Sequence, residues 1–121
     1  MVNALIVDDD IDIGSIVGIL LAHNGITSNC IHSGREFKKA LMKMKPDIII
    51  MDVFLGDNDG RELCSELKKN VQLKNIPVLL YSAAPITAES IEHSHADGFI
   101  RKPFDLAEMM KKVFNLLKKN F

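Results

Sequence analysis

Short apolar runs alternate along this chain with longer segments in which apolar residues recur every three or four positions. The runs are Ala4–Val7, Ile48–Met51, Val78–Tyr81 and Phe99–Ile100, with a weaker one at Cys30–Ile31. Nearly continuous apolar runs of this length predict parallel strands covered on both faces. The intervening segments read as helices: Ile13, Ile16, Val17, Leu20 and Leu21 in the first; Phe37, Leu41 and Met44 in the second; Leu63, Leu67 and Val71 in the third. The last segment places Leu106, Met109, Met110, Val113, Phe114 and Leu117 on one stripe. The fourth, Ala83–Ala96, has few strong helix formers and a thin apolar stripe of Ile86 and Ile91, so it predicts a short helix. Breaks in the pattern agree. Asn24-Gly25 closes the first helix, Pro46 ends the second, Pro77 opens the fourth strand, and Asp105 with Glu108 forms a capping box for the last helix. Strict alternation of five strands and five helices predicts an α/β fold, (βα)₅, with a parallel sheet, helices on both faces and right-handed crossovers.

In such a sheet, ligands bind beyond the carboxyl ends of the strands. The first strand runs into Asp8 and Asp9, the third into Asp52, the fourth into Ser82 and the fifth into Lys102. Asp10 or Asp12 is spoken for as the cap of the first helix. Asp52 follows four apolar residues at the end of a central strand, where a charge is rarely left without a partner. Carboxylates gathered on one rim repel, so either one is protonated or a cation lies among them. Oxygen ligands suit a hard divalent ion such as Mg²⁺, with Mn²⁺ also compatible, and the absence of thiol or imidazole at these strand ends argues against zinc. Lys102 would pair with Asp52 or with a phosphoryl oxygen, and Ser82 would either bond to backbone or donate to such an oxygen.

Composition narrows the function classes. The 121 residues fit one domain, residues 1–121, with no interdomain linker or repeat. The net charge of -1 gives no global basic field, so direct nucleic-acid binding is not expected. The basic residues Lys111, Lys112, Lys118 and Lys119 gather far along the chain from Asp8, Asp9, Asp10, Asp52, Asp57 and Asp59. No apolar run reaches membrane-spanning length, and the N-terminal stretch, which runs into three aspartates, does not read as a signal peptide. Cys30 and Cys64 form no C-x-x-C pair, lie in apolar surroundings and read as buried free thiols, which fits a reducing cytoplasm. The four histidines, His23, His32, His93 and His95, read as surface or partly buried residues.

With these residues in place, the chain resembles the response-regulator receivers of two-component signalling. Ile6-Val7-Asp8-Asp9-Asp10 is similar to their first-strand acidic pair, and Asp52 to Gly60 to their phosphoacceptor loop with its downstream Asp-Gly. Tyr81-Ser82-Ala83 and Lys102-Pro103-Phe104 are similar to their fourth- and fifth-strand signatures. The resemblance implies a flavodoxin-like, doubly wound sheet of strand order 2-1-3-4-5. It implies Asp52 as phosphoacceptor; Mg²⁺ on Asp9, Asp52 and the Phe54 backbone carbonyl, with Asp8 acting largely through water; and Ser82 and Lys102 on the phosphoryl group. Phe99 would be the aromatic switch that swings inward as Ser82 moves. The implied partners are a histidine kinase or histidine phosphotransfer protein and a downstream protein or effector domain. The domain would assist its own phosphorylation and dephosphorylation without being an enzyme in its own right. Leu55-Gly56 stands where Met-Pro is common, so the loop is expected to be less preset. The position of Met1 favours a receiver at the start of its parent chain, and a stand-alone regulator and an excised receiver both fit.

Three other readings use parts of the same pattern. A haloacid-dehalogenase-type phosphatase would carry Asp-x-Asp on the first strand, whereas here the pair is adjacent. A flavodoxin-like cofactor binder would need a phosphate cradle where Asp8 to Asp10 stand. A receiver-like protein-binding module that works without phosphate keeps the fold and dispenses with the chemistry.

Overall fold

The computed structural model describes residues 1–103 and 105–118. Phe104 of the Lys-Pro-Phe motif and Lys119 of the basic group lie outside the described residues. Among the described residues the strands are β1 (Asn3–Val7), β2 (Thr27–Ile31), β3 (Ile48–Asp52), β4 (Val78–Ser82) and β5 (Gly98–Arg101). The helices are α1 (Ile11–His23), α2 (Phe37–Met44), α3 (Gly60–Lys68), α4 (Ala88–Ser94) and α5 (Leu106–Lys118), and a 3₁₀ turn at Gly34–Glu36 leads into α2. The five strands form one sheet in the order β2-β1-β3-β4-β5, and every pair is parallel. The (βα)₅ expectation and its strand order therefore hold.

Strand alternation sorts the core into two layers. Ala4, Ile6, Ile48, Ile50, Leu79, Tyr81 and Ile100 face α1 and α5, meeting Val17, Leu21, Met109, Val113 and Leu117. Leu5, Val7, Ile49, Met51, Val78 and Leu80 face the other way, onto Phe37, Leu41, Cys64 and Leu67 of α2 and α3. With both faces covered, β1 from Ala4 onward and all of β3 and β4 are buried, which is why they read as unbroken apolar runs. The same parity carries Asp8, Asp52 and Lys102, two residues beyond Ile6, Ile50 and Ile100, to the α1–α5 side of the rim.

Asp10 and Asp105 cap the starts of α1 and α5, as the sequence suggested. Asp10 Oδ1 accepts from the Asp12 and Ile13 N–H groups, and Asp105 Oδ1 accepts from Ala107 N–H. The short fourth helix is present as seven residues, with Thr87 Oγ1 accepting from Ser90 N–H. Several side chains sit differently from expectation. Ile16 of α1 is 51% exposed, because that helix buries a narrower edge of Gly14, Val17 and Leu21. Gly14 brings the helix close to the sheet: a Cβ there would lie 2.6 Å from Cys30 Sγ. Val71 is exposed and outside α3, which ends at Lys68, whose ammonium turns to the Lys74 and Ile76 carbonyls and to Asp97. On α5, Leu106 and Phe114 lie on the exposed flank, and Leu116 joins Met109, Met110, Val113 and Leu117 in the buried stripe. Cys64 is buried, with its thiol pushed up to about 12 by burial, but Cys30 is only partly buried.

The tightest approach lies just after β3. Gly60 N–H donates to the Val53 carbonyl at 2.6 Å, and a Cβ on Gly60 would collide with the Asp52 carbonyl oxygen and come within 3.2 Å of Val53 Cα. Backbone atoms cannot rotate away as a side chain can, so Gly60→Ala is expected to lower stability by about 1–3 kcal/mol, read as a reduced urea midpoint at unchanged slope.

Candidate functional site

Three carboxylates meet at the carboxyl rim: Asp8, Asp9 and Asp52 each offer one oxygen, all within 4.8 Å of one another. Asp8 is fully buried, Asp52 nearly so, and Asp9 faces solvent. Lys102 reaches in from the end of β5, its Nζ 3.4 Å from Asp52 Oδ2 and 3.5 Å from Asp8 Oδ2. One ammonium against three carboxylates leaves two negative charges uncompensated. Burial, with Asp8 adding to it, pushes the Asp52 carboxyl up to about 6 even though Lys102 and the Phe54 N–H pull it down. The donor set is all oxygen and the charge deficit is two, which suits a hard divalent cation.

The neighbouring groups are individually anchored. Asp8 Oδ1 accepts from Asp10 N–H at 2.9 Å, and Asp8 Oδ2 accepts from the Tyr81 hydroxyl at 2.5 Å. The Lys102 ammonium lies 4.5 Å above the Tyr81 ring centroid. Ser82 is buried at the end of β4. Its Oγ accepts from Ala84 N–H at 3.1 Å and is not hydrogen-bonded to Asp52 or Lys102. Phe99, on the opposite face of β5 from Ile100, is half-buried beside Ile86, Ile91 and Ala96. The peptide between Lys102 and Pro103 is cis. The loop after Asp52 is tied down: Asp57 accepts from the Gly34 and Arg35 N–H groups at 2.9 and 3.1 Å, and these bonds, the Gly34 one foremost, hold its carboxyl below the ordinary range. Gly56 has φ of +82°, a conformation closed to proline, so Leu55-Gly56 reflects a differently shaped loop held by its own hydrogen bonds.

The sequence profile of the response regulator receiver domain matches residues 4–114. The chain belongs to the response regulator receiver family. Receiver domains are switches of two-component signalling that partner with histidine kinases, and they are not enzymes acting on a separate substrate. This receiver is 32% identical over 121 residues to the DNA-binding dual master transcriptional regulator RpaA of a Synechocystis species, covering 98% of this chain and 50% of that protein. The chain spans about half the length of the curated relatives it matches. Among solved structures it is similar to the signal receiver domain of a histidine kinase from Syntrophus aciditrophicus, with TM-score 0.88, 30% identity and 98% and 92% of the two chains covered. It is similar also to the chemotaxis response regulator CheY4 of Vibrio cholerae, with TM-score 0.88, 26% identity and 96% and 98% covered. No helix among the described residues is long and apolar enough to cross a membrane.

Four residues of the receiver's rim escaped the sequence reading. Tyr81 read as the last position of an apolar run and the first of the fourth-strand signature, with no task of its own, yet it pairs in register with Asp52 and carries its hydroxyl to Asp8. His32, read as surface or partly buried, is exposed, and it sets Nδ1 2.9 Å from the Asp8 carbonyl oxygen, a contact the sequence did not suggest. Asp57 was visible as an acidic neighbour without a task. Arg61 grips Asp59, the cap of α3, through Nε and Nη2 at 3.0 and 2.6 Å, lies over the Phe54 ring and donates to Ser90 Oγ of α4. Tyr81 had a usable signal in strand parity; the others needed loop geometry.

The raised carboxyl at Asp52 has a consequence for stability. Its native form binds a proton more readily than the unfolded chain does, so between about pH 4 and 6 the native state holds more protons and this group's contribution to stability falls as pH rises. In cation-free buffer, Asp52→Asn is expected to remove that decline and to stabilise the domain at pH 7 by about 1–2 kcal/mol. Urea unfolding of both proteins at pH 4 and pH 7 reads the difference, and equal gaps at the two pH values would contradict it.

Proposed function

We propose that this receiver takes a phosphoryl group onto Asp52 from a histidine kinase or histidine phosphotransfer protein, using a divalent cation held at the acidic rim. The observation that carries the reading is the rim's uncompensated charge of two, gathered around a nearly buried carboxylate that ends a central strand. Asp8, Asp9, Asp52 and the Phe54 backbone carbonyl would hold Mg²⁺, with Mn²⁺ as a substitute. When bound, that ion supplies neutralisation of the phosphoryl oxygens.

Asp52 acts as the nucleophile: a carboxylate oxygen forms a bond to phosphorus as the bond from phosphorus to the donor nitrogen breaks, and the electron pair leaves with the donor. Lys102 is already within reach of Asp52 Oδ2, so it follows the growing charge with little movement. Ser82 turns its hydroxyl from the Ala84 N–H toward a phosphoryl oxygen. Phe99, on the opposite face from Lys102, fills the space released. This changes the surface of β5, including Arg101, that a downstream protein or effector domain reads. Water attack on the acyl phosphate, aided by the same residues, resets the switch. Residues 1–121 serve as one receiver unit in the cytoplasm, with no nucleic-acid contact of their own.

Intact mass after incubation with acetyl phosphate and Mg²⁺ tests the assignment. The wild type is expected to gain one phosphoryl group and Asp52→Asn none. Equal labelling of both would remove Asp52 from the role, and no labelling of the wild type would favour a phosphate-independent binding module. Lys102→Ala is expected to slow uptake by about 10²–10³-fold while leaving the fold intact by circular dichroism, as loss of a preorganised charge does in comparable sites.

A further inference from the structure

Tyr81 is the chain's single tyrosine, and there is no tryptophan. Its ring is completely buried among aliphatic residues at the end of β4, where a leucine would complete the apolar run equally well. The hydroxyl is what distinguishes it. It donates to Asp8 Oδ2 at 2.5 Å, the same oxygen that Lys102 approaches at 3.5 Å, while Asp8 Oδ1 is held by Asp10 N–H at 2.9 Å. Both oxygens of this buried carboxylate thus have donors from the protein itself. The Lys102 ammonium sits over the Tyr81 ring and slightly nearer Asp52, at 3.4 Å, than Asp8.

We propose that Tyr81 is a positioning residue of the acidic rim: its phenolic proton occupies Asp8, and so weakens the rim's hold on a divalent cation while leaving Lys102 free to serve Asp52. The inference rests on the proposed reading of the site as a cation-assisted phosphoacceptor. The physical basis is competition for one buried oxygen. A carboxylate deprived of a strong donor turns to whatever positive charge is in reach. Without the phenol, those charges are the cation and, at the vacated oxygen it already approaches at 3.5 Å, Lys102. Binding of a cation then tightens, and Lys102 is drawn toward Asp8 and away from the reacting carboxylate. Affinity and rate therefore move in opposite directions, which a merely structural role for Tyr81 does not produce.

Tyr81→Phe keeps the ring under Lys102 and removes only the hydroxyl. Calorimetric titration with Mg²⁺ is expected to show a Kd about tenfold lower than that of the wild type, from the loss of a hydrogen bond to a charged group. Phosphoryl uptake from acetyl phosphate at saturating Mg²⁺, read by intact mass, is expected to be slower by about tenfold. Unchanged Kd and rate, or a weaker Kd in the variant, would overturn the proposal. A variant that does not fold leaves a second measurement on the wild type. Its near-ultraviolet tyrosine spectrum comes from Tyr81 alone, and Mg²⁺ is expected to shift it with the calorimetric midpoint. A spectrum indifferent to saturating Mg²⁺ would overturn the proposal as well. If the wild type binds Mg²⁺ but takes up no phosphoryl group, the phosphoacceptor reading fails, and the calorimetric comparison still decides the competition for Asp8.

Discussion

Asp8 carries its carboxylate with no exposure to solvent, and a charge so placed requires donors from several directions at once. The chain supplies them from three separate elements: Asp10 N–H at the start of α1, the Tyr81 hydroxyl from β4 and the Lys102 ammonium from beyond β5. Asp8 and Lys102 lie 94 positions apart in sequence. Only a parallel sheet with β3 and β4 between β1 and β5 brings them to one rim at one level. The register that pairs Val7 with Met51 and Asp52 with Tyr81 is therefore set as much by this charge as by the core beneath it. A slip of one residue would turn Asp52 to the α2–α3 face and leave Lys102 with one partner fewer.

The same constraint divides the rim in two. On the β2 side, Asp57 and the Gly34 and Arg35 amides join the loop after β3 to the start of α2. On the β5 side, Ser82 and Phe99 are held more lightly, by a backbone amide and by the thin apolar surface of a seven-residue helix. The Asp52 carboxylate thus lies between a braced wall on one side and a yielding one on the other. Arg61 spans the divide, gripping the cap of α3 while touching Ser90 of α4. It gives the loop beside Asp52 a direct mechanical connection to the yielding side.

The fold was legible because alternating periodicities fix strand and helix identity, because Asp8, Asp52 and Ser82 each interrupt an apolar run at its carboxyl end, and because Lys102 follows another by two residues. What the periodicity does not contain is the width of a buried stripe. Ile16, Leu106 and Phe114 lie at helical spacing with their neighbours, but how a helix is seated on the sheet decides which edge is covered, and that depends on small contacts such as Gly14 against Cys30. Tyr81 was only partly legible, for another reason: strand parity gives its face and not its task. A phenol at the end of an aliphatic run has the same pattern as a leucine, and only the pairing with Asp52 gives its hydroxyl a task. Asp57 and His32 act through loop amides and a backbone carbonyl, which leave no periodic trace.

The braced side of the rim also has no slack. A Cβ on Gly34 would lie 2.5 Å from Asn58 Nδ2, and Asp57 spends both carboxylate oxygens on the amides of Gly34 and Arg35. Two crossover loops that interlock in this way can change length only together. The segment from Ala83 to Thr87, largely solvent-facing and, among the described residues, linked to no second loop by such a bond, is under no such condition. Insertions and grafted peptides therefore meet an interlocked pair of loops on one flank of β3 and no such pair on the other, so new recognition surface is added more readily on the β4 side.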